Sequence, residues 1–454
     1  AGCSFMPTYE RPAAPVAAQW PGQAEATASA GVAAQPVADI AWQDFFSDAR
    51  LRALVEQALA NNRDLRVAVL NIEQARAQYR IQRADRLPTI GVGASGSRTP
   101  QGNGNSLTVY QAGLTLSSWE LDFFGRVASL SEAALAQYLA TEEGRKAAQI
   151  SLVASVANAY LAILADEELL EITRQTLATR EDSAKLSQLR FDSGVASELD
   201  LRQAQSLLEA ARATLAQLQR QRAQDQNLLT LLVGQPDWAQ RIAALPATNR
   251  LESAVVMTEL PAGLPSEVLT ARPDIRQAEQ QLRSANANIG AARAAFFPRI
   301  TLTAGFGTVS SQLSGLFEGG SWGWTVAPQL LLPIFDGGRN QAGLDVAKVN
   351  RDIAVAQYER AVQGAFREVA DALAGRATLG EELRAQQAQA EAESTRFKLS
   401  DLRYRNGVAS YLDLLDAQRS LFATQQAVVQ TRLAQLQNQV TLYKTLGGGW
   451  TAQP

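Results

Sequence analysis

Histidine is missing from all 454 residues, and cysteine occurs once. The first absence removes the usual general base and the commonest metal ligand; the second excludes disulfides and cysteine-built metal sites. Catalysis would have to rest on carboxylates, hydroxyls, lysine or tyrosine alone, so no enzymatic activity, cofactor or metal is expected. An excess of charge is lacking too. With 42 Lys+Arg against 45 Asp+Glu the net charge is -3, and no basic tract suggests nucleic acid as a partner. Uninterrupted apolar runs of about 18 residues are also absent, which argues against a membrane-crossing helix.

The single cysteine, Cys3, sits in "AGCS". Two small residues before a near-terminal cysteine resemble the end of a bacterial lipoprotein signal, in which cleavage precedes the cysteine and its sulfur takes diacylglycerol. Lipidation, palmitate included, is therefore expected at Cys3, with a lone thiol as the alternative. One acyl anchor holds a membrane only marginally, so further membrane contact is expected elsewhere. From Ser4 to about Ala41 the chain is rich in Pro, Ala and Gly without periodicity and reads as a surface tether. Trp42, Phe45 and Phe46 are its expected docking point.

Beyond the tether the chain repeats itself. "NRDLRVAVLNIEQARA" at Asn62 matches "RPDIRQAEQQLRSANA" at Arg272, a shift of 210, and "RADRLPTI" at Arg83 matches "RAAFFPRI" at Arg293. After glycine-rich segments the shift becomes 213: "FFGR" ending at Arg126 matches "DGGR" ending at Arg339. "RFDSGVASELDLRQAQ" at Arg190 then matches "RYRNGVASYLDLLDAQ" at Arg403 in 10 of 16 positions. A constant shift broken once in a loop-rich region is the mark of duplication. The expected organisation is a tether over 1–46, a first repeat over 47–232 with a strand pair in 88–120, and a linker over 233–263. A second repeat follows over 264–446 with a strand pair in 298–335, then a tail over 447–454.

Each repeat carries very long helices. Between Arg126 and Phe191 there is no proline and one internal glycine, Gly144; at about 1.5 Å per residue that is on the order of 100 Å of helix. The segment from Asn340 to Asn406 is comparable. Leu201, Ala204, Leu208, Ala211, Leu215 and Leu218 follow heptad spacing, as do Phe422, Val429, Leu433, Leu436, Val440 and Tyr443, which argues for coiled-coil packing. The strand units have period two instead. In "RITLTAGFG", Ile300, Leu302, Ala304 and Phe306 alternate with Thr301, Thr303, Gly305 and Gly307, and "WGWTVAPQLLLPIF" brings Trp322 and Trp324 to one end as an aromatic margin. Alternating segments of about ten residues with marginal aromatics fit membrane-spanning strands; a soluble hairpin is the plainer reading of any one alone.

Strands span a bilayer only as a closed barrel, because an open edge leaves backbone groups unpaired in hydrocarbon. Four strands per chain fall short of the about eight in the smallest usual barrel, so the barrel is expected to be shared between chains. Two chains would enclose a side-chain-filled interior; three would give twelve strands and room for water, which the small inward residues suit. Twelve long helices would continue as a tunnel. A rival from another class is a periplasmic coiled-coil adaptor or scaffold that forms no pore. A diffusion porin is a third, disfavoured by the helices.

The sequence resembles the outer-membrane efflux proteins, the TolC family, and within it the lipidated OprM-like branch serving resistance-nodulation-division pumps. The resemblance runs from "CSFMPTYERP" through "NNRDLR", "WELDFFGR", "GVASELDLRQAQ", "IGAARAAFFPRI", "LPIFDGG" and "YLDLLDAQRSLF" to "LYKTLGGGW". It implies a homotrimeric channel-tunnel, a membrane α+β fold with a twelve-stranded β-barrel among outer-membrane lipids and a twelve-helix periplasmic coiled-coil barrel. It also implies a periplasmic adaptor (membrane fusion) protein and an inner-membrane resistance-nodulation-division transporter as partners. The implied function is a passive exit duct for antibiotics and other small toxic compounds from a Gram-negative cell, with a periplasmic gate closed at rest.

Helix ends account for much of the doubled turn. Gly194 and Gly407 suit C-terminal caps, and Ser197 with Asp200, like Ser410 with Asp413, makes a capping-box pattern. Asp416 has no such role, and its counterpart is Gln203. One carboxylate per chain near a three-fold axis would form a cation-attracting ring; a salt bridge to Arg403 or Arg405 is the alternative. By the resemblance, "YLDLLDA" with Asp413 and Asp416 is where the gate's aspartate rings lie. Arg403, Tyr404 and Arg405 match a polar latch, and Leu412 adds an apolar constriction. Asp192, Asp200 and Gln203 mark the secondary, steadier tip. The glycine-rich "FFGR", "DGGR" and "GGGW" lack phosphate-loop spacing and read as turns and a helix end.

Overall fold

The computed structural model describes residues 4–21, 37–102, 104–246, 251, 260 and 266–450. Cys3, parts of the expected linker and residues 451–454 lie outside the described residues. In chain order the elements are α1 (Trp42–Phe45), α2 (Ala49–Asn61), α3 (Arg63–Ala84), β1 (Ile90–Gln101), β2 (Asn105–Glu120), α4 (Arg126–Asp192) and α5 (Glu198–Val233). The short α6 (Trp238–Ile242) precedes α7 (Pro273–Ala294), β3 (Arg299–Ser310), β4 (Trp322–Leu331), α8 (Arg339–Arg405) and α9 (Tyr411–Thr445). Helix starts follow from local chemistry. Asp48 accepts from the Leu51 amide at 2.7 Å and Asn62 from the Leu65 amide at 2.9 Å, capping α2 and α3, while Pro273 opens α7 with the one residue that has no amide to leave unpaired.

The four strands form one antiparallel sheet in the order β1-β2-β3-β4. Register runs straight across it: Val92 opposes Leu114, Leu114 opposes Phe306, and Phe306 opposes Trp324. That apolar row is exposed, with Val92 at 86% and Trp324 at 74%. The neighbouring row, on the opposite face, is Gly93, Gly113, Gly307 and Gly323. A Cβ on Gly113 or Gly307 would run into the backbone of the adjoining strand, so glycine permits close approach there. Between Leu116 and Trp119 the register slips at a bulge where Ser118 takes a φ of 48°. Strand β4 ends at Leu331, short of the expected 335, because Pro333 cannot continue the ladder. Pro328 lies in β4, at the edge of this chain's own sheet.

The chain divides into two compact units that cut across the repeats. The first takes residues 1–15, 69–144 and 274–362 and holds the sheet. In it the tether is pinned by chemistry. Glu279 on α7 receives Arg11 at 3.2 and 2.7 Å, Arg283 at 3.0 Å and the Tyr9 hydroxyl at 3.2 Å, and the Phe5 ring stacks on Phe297 at 4.4 Å. The second takes residues 16–68, 145–273 and 363–454. Its core includes Trp42, Phe45, Phe46, Leu51 and Leu54, all buried, with Phe45 stacked on Tyr443 at 3.9 Å. The expected docking of Trp42, Phe45 and Phe46 is therefore present.

Two expectations about helices need correction. Helix α4 does contain an 18-residue window of mean hydropathy 1.6, apolar enough to cross a membrane by composition, but 67% of it is buried within the chain, as in a core helix. On α5 the buried residues are Leu201, Ala204, Leu207 and Ala211, with Leu229 and Val233 near its end. Leu207 is buried and Leu208, half-buried, packs against the same cluster; Leu215 and Leu218 are half-buried too. On α9, Val429, Leu436, Val440 and Tyr443 are buried as expected, and Phe422 and Leu433 half so.

Candidate functional site

Two hairpin turns, one per repeat, carry the candidate gate and tip residues, and all of these belong to the second compact unit. Helix α4 ends with Gly194 at φ 73°, its amide donating to the Phe191 carbonyl at 2.9 Å and the Val195 amide to Arg190 at 2.9 Å. Helix α8 ends identically: Gly407 at φ 73° donates to Tyr404 at 3.0 Å and Val408 to Arg403 at 2.9 Å. Both are Schellman closures, which need a residue at ease with positive φ. Each turn then opens its return helix with a full capping box. The Asp200 amide donates to the Ser197 hydroxyl oxygen at 3.2 Å and its carboxylate accepts from the Ser197 amide at 3.3 Å; Asp413 and Ser410 repeat both bonds at 3.3 Å. Asp200 and Asp413 therefore act as caps, whatever else they face.

Behind the turns lies an apolar cluster of Ala184, Ala204, Leu207, Tyr404, Tyr411, Leu414 and Leu415. Tyr404 is buried, its ring 5.4 Å from that of Tyr411, with the Arg190 guanidinium 4.5 Å from its centroid. Of the six expected gate residues it is the one the fold uses for packing. Burial and the neighbouring Tyr404 push the Tyr411 hydroxyl up to about 12.

Asp416 stays 60% exposed and pairs with Arg396 of α8. Arg396 also bonds Glu393 at 3.2 Å. The salt bridge expected as an alternative thus exists with a different partner. Residues 403 and 405 lie level with the turn, whereas a residue well into α9 meets the part of α8 equally far from the turn. Arg405 instead pairs with Asp401 at 2.8 Å. Leu412 is 60% exposed, as are Leu402 and Val408 to similar degrees. In the first turn Asp192 accepts from Gln188 at 2.9 Å and Gln203 is half-buried. Trp322 and Trp324 both lie on β4, with Phe306 5.7 Å from Trp322.

Sequence reasoning missed Arg396, Tyr411 and a carboxyl pair deeper in the first hairpin. Asp166 of α4 is buried with Oδ2 lacking a hydrogen-bond donor, and burial, then the Asp225 carboxyl on α5, push it up to about 7. The Arg222 nearby is engaged by Glu167 at 2.9 Å.

Nothing in this geometry aligns a nucleophile with a base; it closes and braces helix ends. Residues 54–235 and 264–448 match the profile of the family described as Outer membrane efflux protein. The chain belongs to that family. It is 49% identical over 464 residues to the probable efflux pump outer membrane protein TtgC of Pseudomonas putida, covering all of this chain and 94% of that protein. It is 48% identical over 455 residues to the outer membrane protein OprJ of Pseudomonas aeruginosa, covering 99% and 93%. The open state of the Neisseria gonorrhoeae MtrE outer membrane channel superposes with a TM-score of 0.87 at 42% identity, covering 99% of each chain. The two matched segments leave residues 236–263 between them. The fold is that of the channel-tunnels, and the protein is an outer-membrane efflux conduit, not an enzyme.

Proposed function

We propose that three copies of this chain form the exit duct of a tripartite multidrug pump. It passively conducts antibiotics and other small toxic compounds across the periplasm and the outer membrane, and its periplasmic gate is closed at rest. The observation that carries this reading is the four-stranded sheet, whose edge strands β1 and β4 each pair on one side only and whose faces differ so sharply. Open edges are not stable in hydrocarbon, so closure has to come from further copies. The row Val92, Leu114, Phe306, Trp324 suits lipid, with Trp322 and Trp324 as the aromatic margin; the glycine row Gly93, Gly113, Gly307, Gly323 suits a wide lumen.

In this reading the strands are the outer-membrane barrel, the long helices are the periplasmic tunnel, and the residues between the repeats belong to an equatorial belt. A lipid on Cys3 anchors the chain. The two hairpin turns are the tunnel tip, where Asp416, Asp413, Leu412, Arg403 and Arg405 narrow the lumen around a Tyr404-packed support and Asp192, Asp200 and Gln203 complete the ring. An adaptor protein meets this tip and links it to an inner-membrane resistance-nodulation-division transporter, which supplies the energy. Purified protein in planar bilayers tests the duct: cation-preferring conductance is expected, together with a trimer mass in native mass spectrometry. A monomer without conductance would leave the coiled-coil scaffold as the better reading. In-cell cross-linking from the 190s and 400s turns identifies the adaptor.

A further inference from the structure

The second compact unit contains a buried cation that pairs with no carboxylate among the described residues. Arg180, on α4, is 5% exposed, and among the described residues no salt bridge reaches its guanidinium. Its Nη1 donates to the Leu207 carbonyl at 3.1 Å, and its charged plane lies 5.0 Å from the Phe422 ring centroid. Nε is buried without an acceptor. A second cation, Arg419, adds repulsion to it. A charge removed from water and left unpaired costs several kcal/mol unless an opposite charge or strong acceptors replace the lost hydration. One carbonyl and one aromatic face are a small return. Burial, then Arg419, hold Arg180 below its ordinary basicity.

Beside Arg180 opens a cavity of about 140 Å³. Helix α4 contributes Ile172 and Thr176 to its wall, α8 contributes Phe397, and α9 contributes Leu421 and Gln418. The Gln418 amide nitrogen is used by Ser183 at 3.1 Å, while its Oε1 is buried with no donor. That volume holds several waters or one compact ligand. The lining sets a planar guanidinium fork, whose donors match a carboxylate, and the polar Gln175, Thr179 and Gln425 beside an apolar side made by Ile172, Phe397 and Leu421, which suits the body of an organic acid. Phe397 also packs against the apolar cluster behind the turns, so whatever fills the cavity ties three helices together directly beneath the tip.

We propose that this cavity is a binding site for a small organic carboxylate with a compact apolar body, its carboxylate on Arg180 and its body against Phe397 and Leu421. The site lies between α4, α8 and α9, behind the turns. It adds to the exit-duct reading without depending on it. Ligand binding to the folded state alone raises the melting temperature, because the unfolded chain has no such cavity.

Benzoate is a suitable probe, titrated calorimetrically into the detergent-solubilised full chain, with inorganic phosphate as the contrasting anion. Wild type is expected to give saturable heat with benzoate and a rise in melting temperature. Phosphate should bind at least roughly tenfold more weakly, since it cannot use the apolar wall. Arg180→Gln should lower benzoate affinity by roughly tenfold or more, the scale of one lost charge-assisted contact. Thr176→Phe fills the cavity while leaving Arg180 in place, so it should abolish binding even if Arg180→Gln fails to fold; each variant's own melting curve reports folding. The proposal is overturned by absence of saturable benzoate heat in wild type, by unchanged affinity in either folded variant, or by phosphate binding as tightly as benzoate. None of these outcomes alters conductance, so failure here is distinguishable from failure of the duct.

Discussion

The hairpins α4–α5 and α8–α9 descend from one ancestor, and their two levels of similarity differ. Backbone chemistry is preserved bond for bond: the same Schellman closure at φ 73°, the same capping box, the same helix lengths within one residue. Side chains behind the turns have diverged. Where the second copy has Tyr411, buried, and Asp416 paired with Arg396, the first has Glu198, exposed and bonded to Arg202 at 3.1 Å, and Gln203. Where the first copy has Asp166 and Asp225, the second has Leu379 and Asn438, the latter donating to the Ala372 carbonyl at 2.9 Å. A duplicated fold thus keeps what every helix end needs and frees the rest to specialise.

The largest break in this comparison comes from making the second turn like the first. Tyr411→Glu places a carboxylate among Tyr404, Leu414 and Leu415 and should cost about 3 kcal/mol or more, a drop of many degrees in melting temperature. The reciprocal Glu198→Tyr, on an exposed site, should stay within about 0.5 kcal/mol. Comparable losses in both would mean that the two turns are packed alike.

The carboxyl pair comes next. A raised carboxyl binds its proton more tightly in the folded chain, so stability is full below the unfolded value near 3.8 and is lost as pH rises through about 7. Asp166→Asn removes that loss and should stabilise the protein by about 1–2 kcal/mol at pH 8, with little effect at pH 4. Melting curves at both pH values decide it. A pH-independent effect would show that no proton is shared between the hairpin's helices.

Gly194→Ala and Gly407→Ala should be equal, each costing about 1 kcal/mol from the positive φ alone, since neither site has an atom near an added Cβ. Unequal values would mean that a neighbouring chain packs against one turn and not the other.

Both caps, the strand pairs and the duplication were readable in the sequence because they depend on local rules: glycine after a helix, serine three residues before aspartate, alternation of period two. The contacts across each hairpin were not read, though a signal existed. Arg222 with Glu167, Arg212 with Glu181, Arg396 with Asp416 and Asn438 with Ala372 are each centred on their turn. Two antiparallel helices of equal rise pair residues at comparable distances from the turn, so counting outward from Gly407 would have narrowed the partner of Asp416 to the stretch of α8 that holds Arg396 and Lys398. Burial of Arg180 and Asp166 had no such signal. Both depend on which face of α4 is covered, and a helix of 67 residues changes its covered face along its length.

The smallest expected change in stability carries the sharpest functional contrast. Arg396 and Asp416 are both exposed, and pairs of that kind contribute little to folding, so Asp416→Ala should leave the melting temperature within experimental error. If three such carboxylates line a constriction, the same substitution should raise resting conductance in planar bilayers and weaken cation preference, because the ring's field is lost. Gln203→Ala, its counterpart in the first hairpin, removes no charge and should change neither. Arg396→Ala separates two roles for the pair: it keeps the carboxylate, so cation preference should persist, while any rise in conductance measures how far the α8 contact holds α9 in place. Conductance unchanged in Asp416→Ala would remove the second turn's distinction as a gate and leave the two hairpins different only in how they pack.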